Sequence, residues 1–315
     1  MTRAEPIISM NPAPIYHTII IGGGPAGLSA ALLLGRCLRD VLILDEGLPR
    51  NRMSKAMHGF LGHDGICPMT FLTRSREQLD PYRTVKIHKT RVTDLKKGEM
   101  GFEVSSGCGS FTSRTVLLAT GVRDNWPDLP GSEPFRGKSL HHCPYCDAWE
   151  HRGQRFGVYG ADRKAVELAV ELRLWSESVT LFPGGDSPVE AELKACLARN
   201  GIAIQHGKIT TLVGEEGILR AIEVDHLPHP CEALFFSPGQ THSSELAVGP
   251  GCRIDPRDSS VHCTEDGGTG VEGLFVAGNV TDGIQMAVIA AAEGTKAAVC
   301  INNFLMEQDG RFGGG

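Results

Sequence analysis

The 315-residue chain has no block of basic residues, few aromatic side chains and no dense set of cysteines. Lys and Arg total 31 against 37 Asp and Glu, and a formal net charge of −6 lacks the electrostatic footprint of a phosphate-backbone binder. Aromatic residues are 6% of the chain, too few for base-stacking platforms, so no nucleic-acid partner is expected. Ten cysteines fall well below the density of a disulfide-stapled secreted scaffold, which makes a reducing compartment the default. The segment Met1 to His17 has neither a continuous apolar run nor a small-residue cleavage site behind one, so no secretory signal is read and a cytoplasmic location is expected. Thr18 to Gly35 carries no charge and approaches the length of a membrane span. Gly22-Gly23-Gly24-Pro25 breaks it, and a strand followed by a helix fits better; no membrane partner is expected.

A hydrophobic content of 41% with 22% charged residues is ordinary for a globular protein. At roughly 150 residues per domain the length suggests two domains. Glycine is in excess at 39 residues, as expected if tight strand-to-helix turns are used more than once. The first such turn follows a strand from Ile15 to Ile21. Gly22, Gly24 and Gly27 come next in GxGxxG spacing, then an apolar helix from Ala26 to Leu34 and a second strand from Val41 to Leu44. In that pattern the first glycine makes the turn, the second lets backbone approach a pyrophosphate, and the third packs helix on strand. The helix N-terminus receives the phosphate charge. Asp45 ends the second strand, where an acid hydrogen-bonds the adenosine ribose. The bland alternative is a glycine turn that packs a helix and holds no ligand.

A second unit of this kind begins at Arg155, with a strand Phe156 to Tyr159, a turn at Gly160, a helix near Arg163 to Trp175 and a strand Val179 to Phe182. Ala165, Leu168, Ala169 and Leu172 keep the helical stripe. The phosphate signature is damaged. Aligned on Gly160, the second glycine position is Asp162, whose carboxylate repels a pyrophosphate. The following loop, Pro183-Gly184-Gly185-Asp186, offers no Arg or Lys to a 2′-phosphate before Lys194. The unit reads as a dinucleotide fold without its dinucleotide, the alternative being a degenerate NADH site with Asp186 as ribose acid. Leu274 to Ala277 then reads as a strand running into Gly278-Asn279, followed by a small-residue helix from about Met286 to Phe304. The expected architecture is α/β with two Rossmann-like domains, residues 1–124 and 240–315 forming the first and 125–239 inserted into it.

Of the ten cysteines only Cys143 and Cys146 have redox spacing, in His141-His142-Cys143-Pro144-Tyr145-Cys146-Asp147. Two intervening residues allow a reversible disulfide, and such pairs commonly have one lowered thiol pKa. A zinc knuckle needs a second ligand pair, and none follows within 30 residues; no metal is expected. The string CPYC also opens glutaredoxin domains, but here it sits between two nucleotide-type folds, and a silent pair remains the bland alternative. Asp147 reads equally as a general acid or base and as a helix cap. His141 and His142 could stabilise a thiolate or be structural. Cys37, Cys67, Cys108, Cys196, Cys231, Cys252, Cys263 and Cys300 have no partner at motif spacing and read as small apolar residues.

GGGPAG at Gly22 to Gly27, ATG at Ala119 to Gly121, CxxCD at Cys143 to Asp147 and GLFVAGN at Gly273 to Asn279 together resemble the low-molecular-weight thioredoxin reductase family of flavoproteins, over nearly the whole length. The resemblance implies FAD in the first domain, a redox cysteine pair carried by the second, and a homodimer. It makes Cys146 the flavin-facing sulfur, Cys143 the interchange sulfur and Asp147 the acid. It implies cofactor contacts at Gly22, Gly24, Pro25, Ala26, Gly27, Asp45, Glu46, Arg50, Asn51, His58, Val92, Thr120, Gly121, Gly278, Asn279, Met286 and Ala287. The chain departs from the family in lacking the pyridine-nucleotide glycines and HRR-type arginines, and in having Asn279 where an Asp is usual. CPYC, Pro49-Arg50-Asn51 and Met57-His58-Gly59-Phe60-Leu61 resemble the branch containing the dithiol oxidases of gliotoxin, holomycin and depsipeptide biosynthesis. The function so implied is a FAD-dependent dithiol oxidase that closes a disulfide in a small-molecule dithiol and passes the electrons to oxygen without NADPH. The alternatives are a reductase of a thioredoxin-like protein, fed by NADPH, NADH or ferredoxin, and a flavin-binding protein without turnover.

Overall fold

The computed structural model describes residues 14–185, 187–242 and 245–311. The chain runs through β1 (Ile15–Ile21), α1 (Pro25–Arg36), β2 (Val41–Asp45), α2 (Pro68–Glu77), β3 (Val85–Lys89), β4 (Val92–Gly98), β5 (Gly101–Ser106) and β6 (Gly109–Leu118). The middle holds β7 (Val122–Asn125), β8 (Leu140–His141), α3 (Pro144–Asp147), β9 (Phe156–Tyr159), α4 (Arg163–Leu172), β10 (Val179–Phe182) and α5 (Ala191–Arg199). After β11 (Ala203–Ile204), β12 (Ile209–Glu215), β13 (Ile218–Val224), β14 (Leu227–Pro230), β15 (Ala233–Phe236) and β16 (Gly239–His242) come β17 (Leu274–Val276) and α6 (Ala287–Gln308).

Packing divides the chain into two compact units. The first is Met1–Gly47, Ser75–Gly121 and His242–Gly315, and the second is Leu48–Arg74 and Val122–Thr241. From the sequence, residues 48–74 are expected in the first domain. The structure groups Leu48–Arg74 with the second unit because its contacts lie there: Arg50 pairs with Asp124, and Met53 lies against Gly137. Neither partner is close in sequence, so the chain alone gave no sign of the grouping.

The first unit is built on a sheet of order β3-β2-β1-β6-β5-β4, with β17 also pairing β6. β3, β2, β1, β6 and β17 run parallel, while β4, β5 and β6 form an antiparallel meander. β5 pairs the first half of β6 and β17 its last residues, so one long strand serves both the meander and the parallel layer. β1 and β2 read as near-continuous apolar runs because a parallel strand is covered on both faces; Ile19, Ile20, Leu42 and Ile43 are fully buried. α1 and α6 cross closely at Gly294, where a Cβ would stand 2.0 Å from the Ala26 carbonyl oxygen.

The second unit has a parallel sheet of order β11-β10-β9-β15-β8, a separate antiparallel sheet β12-β13-β14, and a β7–β16 pair. α4 buries Ala165, Leu168, Ala169 and Leu172, the stripe read from the sequence, and ends at Leu172, three residues before the expected end. Among the described residues no helix is long and apolar enough to cross a membrane, and Thr18 to Gly35 folds as the end of β1, the glycine turn and most of α1.

Candidate active site

The three glycines of the first turn are there for different reasons. Gly22 has φ +110°, and a Cβ there would lie 2.3 Å from the Ala119 carbonyl oxygen. At Gly27 a Cβ would lie 2.0 Å from the oxygen of Gly22. Both are demanded by the fold. Gly24 is not, since a Cβ there meets nothing within 4 Å, and its φ of −79° suits any residue. Gly24 is the N-cap of α1, has no side chain to cap the helix, and is followed by Pro25 at the first helical position. The open space before an uncapped helix N-terminus fits a phosphate group. Asp45 stands beside this turn, Oδ1 accepting the Gly23 N–H at 3.0 Å and Oδ2 accepting from Arg76 at 2.9 Å.

Two other sequence-identified positions, Thr120 and Gly278, lie close to the same turn. Gly22 meets the backbone of Ala119 and Thr120, and Gly278 faces the Ala26 side chain and donates its N–H to Glu293 at 2.7 Å. Met286 is the N-cap of α6, again without a side-chain cap, and Ala287 begins the helix. Glu46 lies 3.9 Å from Arg91, next to Val92, whose side chain is buried in the core and leaves only backbone to offer. Gly121 and Asn279 lie on the loops after β6 and β17. Arg50, Asn51 and His58 belong to the second unit, where His58 stands 3.4 Å from both Asp64 and Glu150.

At the corresponding turn of the second unit, Gly160 keeps its left-handed backbone at φ +136°. Asp162 is the N-cap of α4, and its carboxylate accepts the Ala165 N–H at 2.9 Å. A fixed negative charge therefore occupies the helix N-terminus where a dinucleotide phosphate would bind. Asp186, the other acid read from this loop, lies outside the described residues.

Cys143 and Cys146 are joined as a disulfide. Cys143 is the N-cap of the single-turn α3, and Pro144 at the first helical position gives up only an N–H that has no partner in a helix anyway. Two hydrogen-bonded networks flank the pair. On the Cys146 side, Asp147 Oδ1 is 3.2 Å from Nδ1 of buried His141, whose Nε2 is 3.2 Å from His151 Nε2. His151 Nδ1 then reaches Gln154 Oε1 at 2.9 Å. Burial lowers the His151 pKa. The carboxyl group next to Cys146 is thus linked through His141 to His151. On the Cys143 side, Arg50 holds Asp124 through two guanidinium nitrogens, its Nε donating at 2.7 Å, and its Nη2 is 3.2 Å from His142 Nε2. Burial first, and Arg50 as well, push the His142 pKa down against the opposing pull of Asp124.

Asp147 pairs with His141, and no side chain caps α3. Asp124, His151 and Gln154 were missed from sequence. No spacing rule connects Arg50 to Asp124 or His141 to His151; only the fold brings them together.

The chain belongs to the pyridine nucleotide-disulphide oxidoreductase family, whose pattern matches residues 16–294. Among its relatives, a probable thioredoxin reductase of Arthroderma benhamiae is 38% identical over 193 residues, covering 58% of this chain and 48% of that protein. The chain thus spans about half the length of that curated relative. The crystal structure of HlmI superposes with a TM-score of 0.88 at 33% identity, covering 94% of each chain. A putative thioredoxin reductase from Bacillus anthracis gives a TM-score of 0.88 at 28% identity, covering 93% of this chain and 99% of that one. The fold is therefore that of thioredoxin reductases, α/β with two Rossmann-like domains.

Proposed function

We propose that the protein is a FAD-dependent dithiol oxidase that works without a pyridine nucleotide. The observation that carries the reading is the Asp162 cap: the helix end that should receive a dinucleotide phosphate is already filled by the chain's own carboxylate. FAD fits the first unit, where the Gly24 gap and the uncapped α1 terminus suit its pyrophosphate and Asp45 its ribose. Bound there, FAD supplies a two-electron acceptor for the Cys143–Cys146 dithiol and a route to oxygen, yielding hydrogen peroxide.

The cysteines do the sulfur chemistry. A substrate thiolate attacks Sγ of Cys143, the Cys143–Cys146 bond breaks, and Cys146 leaves as a thiolate. The second substrate thiolate attacks the substrate sulfur of the mixed disulfide, closing the product disulfide and expelling Cys143. Two electrons and the substrate's two protons remain with the protein. The Asp147–His141–His151 chain is placed to hold such protons next to Cys146.

Oxygen uptake with a small dithiol and no nicotinamide tests the reading. The expected result is one peroxide per disulfide formed, abolished in Cys143→Ser. Turnover that requires NADPH or NADH and a thioredoxin-like protein would instead favour the reductase reading, which the names of the relatives support.

A further inference from the structure

We propose that Arg76 is a positioning residue of the dinucleotide site in the first unit: it fixes the Asp45 carboxylate for the adenosine ribose and offsets its charge beside the pyrophosphate. The inference rests on the reading that FAD binds at the Gly24 turn with its ribose at Asp45, and it adds a residue that the glycine pattern does not contain.

Both oxygens of Asp45 are held. Oδ1 accepts the Gly23 N–H at 3.0 Å, and Oδ2 accepts from Arg76 Nη2 at 2.9 Å. Gly23 makes room for this arrangement, since a Cβ there would stand 2.8 Å from Cγ and from Oδ2 of Asp45. The GxGxxG spacing leaves Gly23 unexplained, and the carboxylate lying against the turn explains it. Arg76 comes from α2, 31 residues beyond Asp45 in the chain. Leu72, one helical turn before it, is buried, so the face of α2 that carries Arg76 is turned inward.

An ionised carboxylate accepts about four hydrogen bonds, two at each oxygen. Gly23 and Arg76 use one at each oxygen, which leaves one at each for the neighbouring ribose hydroxyls, and the side chain keeps 17% of its surface open. Without Arg76 only the Gly23 contact would orient the group. Charge is the second reason for the pair. Gly23 and Gly24 are adjacent, so the Asp45 carboxylate stands next to the gap that suits a pyrophosphate, and like charges there repel. Arg76 offsets that repulsion at hydrogen-bonding distance. The other basic side chains at this end of β2 stand elsewhere: Arg91 is 3.9 Å from Glu46, and Lys89 lies against Gly47.

The test uses the full-length protein stripped of flavin, titrated with FAD by fluorescence quenching and with ADP by competition. Arg76→Gln should weaken FAD and ADP alike by about tenfold, or about 1.4 kcal/mol. Its urea midpoint without flavin should stay close to that of wild type, because the Arg76 side chain is 32% exposed and such pairs add little to folding. Arg76→Lys, which keeps the charge, should recover most of the affinity. In an Asp45→Asn background there is no charge to offset, and Arg76→Gln should then change FAD affinity less than about twofold. This last comparison also serves if Arg76→Gln alone fails to fold. Wild-type affinity in folded Arg76→Gln overturns the inference, as does a tenfold loss that persists beside Asp45→Asn, which would mean that Arg76 touches the cofactor itself. An affinity loss matched by an equal loss of flavin-free stability overturns it in favour of a purely structural pair. Wild-type protein that takes up ADP but no FAD would overturn the FAD reading beneath it, and the ADP titrations would still decide the role of Arg76.

Discussion

Replacing Gly24 and Gly27 separately by alanine should split flavin binding from folding. The Gly27 Cβ would stand 2.0 Å from the backbone oxygen of Gly22, which is itself wedged against Ala119, so strand or helix must move. Overpacking of this kind costs about 1–3 kcal/mol, and contact with rigid backbone puts Gly27→Ala at the upper end. Gly24 has open space and an ordinary φ of −79°. Alanine there loses a few tenths to about 1 kcal/mol as a poorer N-cap. It regains about 0.4–1 kcal/mol from the stiffer unfolded chain, for a net change near zero. The same methyl sits where backbone must approach the pyrophosphate, and FAD affinity should fall at least about tenfold, or about 1.4 kcal/mol. Urea unfolding of the flavin-stripped proteins and FAD titration by fluorescence quenching give the two readouts. Gly24→Ala with wild-type FAD affinity, or one as unstable without flavin as Gly27→Ala, would refute the reasoning.

Other expectations follow from single contacts. Asp162→Ala removes the α4 cap and should lower stability by about 1 kcal/mol in urea unfolding, with Asp162→Asn close to wild type because its side chain still accepts the Ala165 N–H. Asp309 is held by Arg39 and Arg114, which lower its carboxyl pKa. A depressed folded-state pKa stabilises above the unfolded value near 4 and is lost as pH falls below it. Asp309→Asn should therefore lower the melting temperature at pH 7, and the gap should close toward pH 3. Among the free thiols of the oxidised protein, exposed Cys67 is held below the usual range by the backbone N–H groups of Thr70 and Met69. Burial pushes Cys231 up to about 12. Iodoacetamide at pH 8 should label Cys67 early and Cys231 only on unfolding, as mass mapping will show.

What was legible in the sequence was local. The glycine turn, the buried strands on either side of it and the α4 stripe are written in periods and spacings a few residues long, and the structure places them within about three residues of the reading. Asp162 was also legible as a charge in the wrong place, although its role as a cap appeared only with the Ala165 contact. The assignment of Leu48–Arg74 to the second unit was not legible, because it depends on Arg50 reaching Asp124 across 74 residues. The same holds for His142, which the sequence could only place next to a cysteine.

The central claim is that electrons enter from a dithiol and not from a pyridine nucleotide. It is tested most directly by the absorbance of the bound flavin without air, on adding NADPH, then NADH, then a small dithiol, and finally oxygen. The flavin should stay oxidised with both nucleotides, bleach with the dithiol, and recover in air with formation of peroxide. Rapid bleaching by NADPH or NADH would contradict it, since it would mean that the Asp162-capped helix still serves a nucleotide.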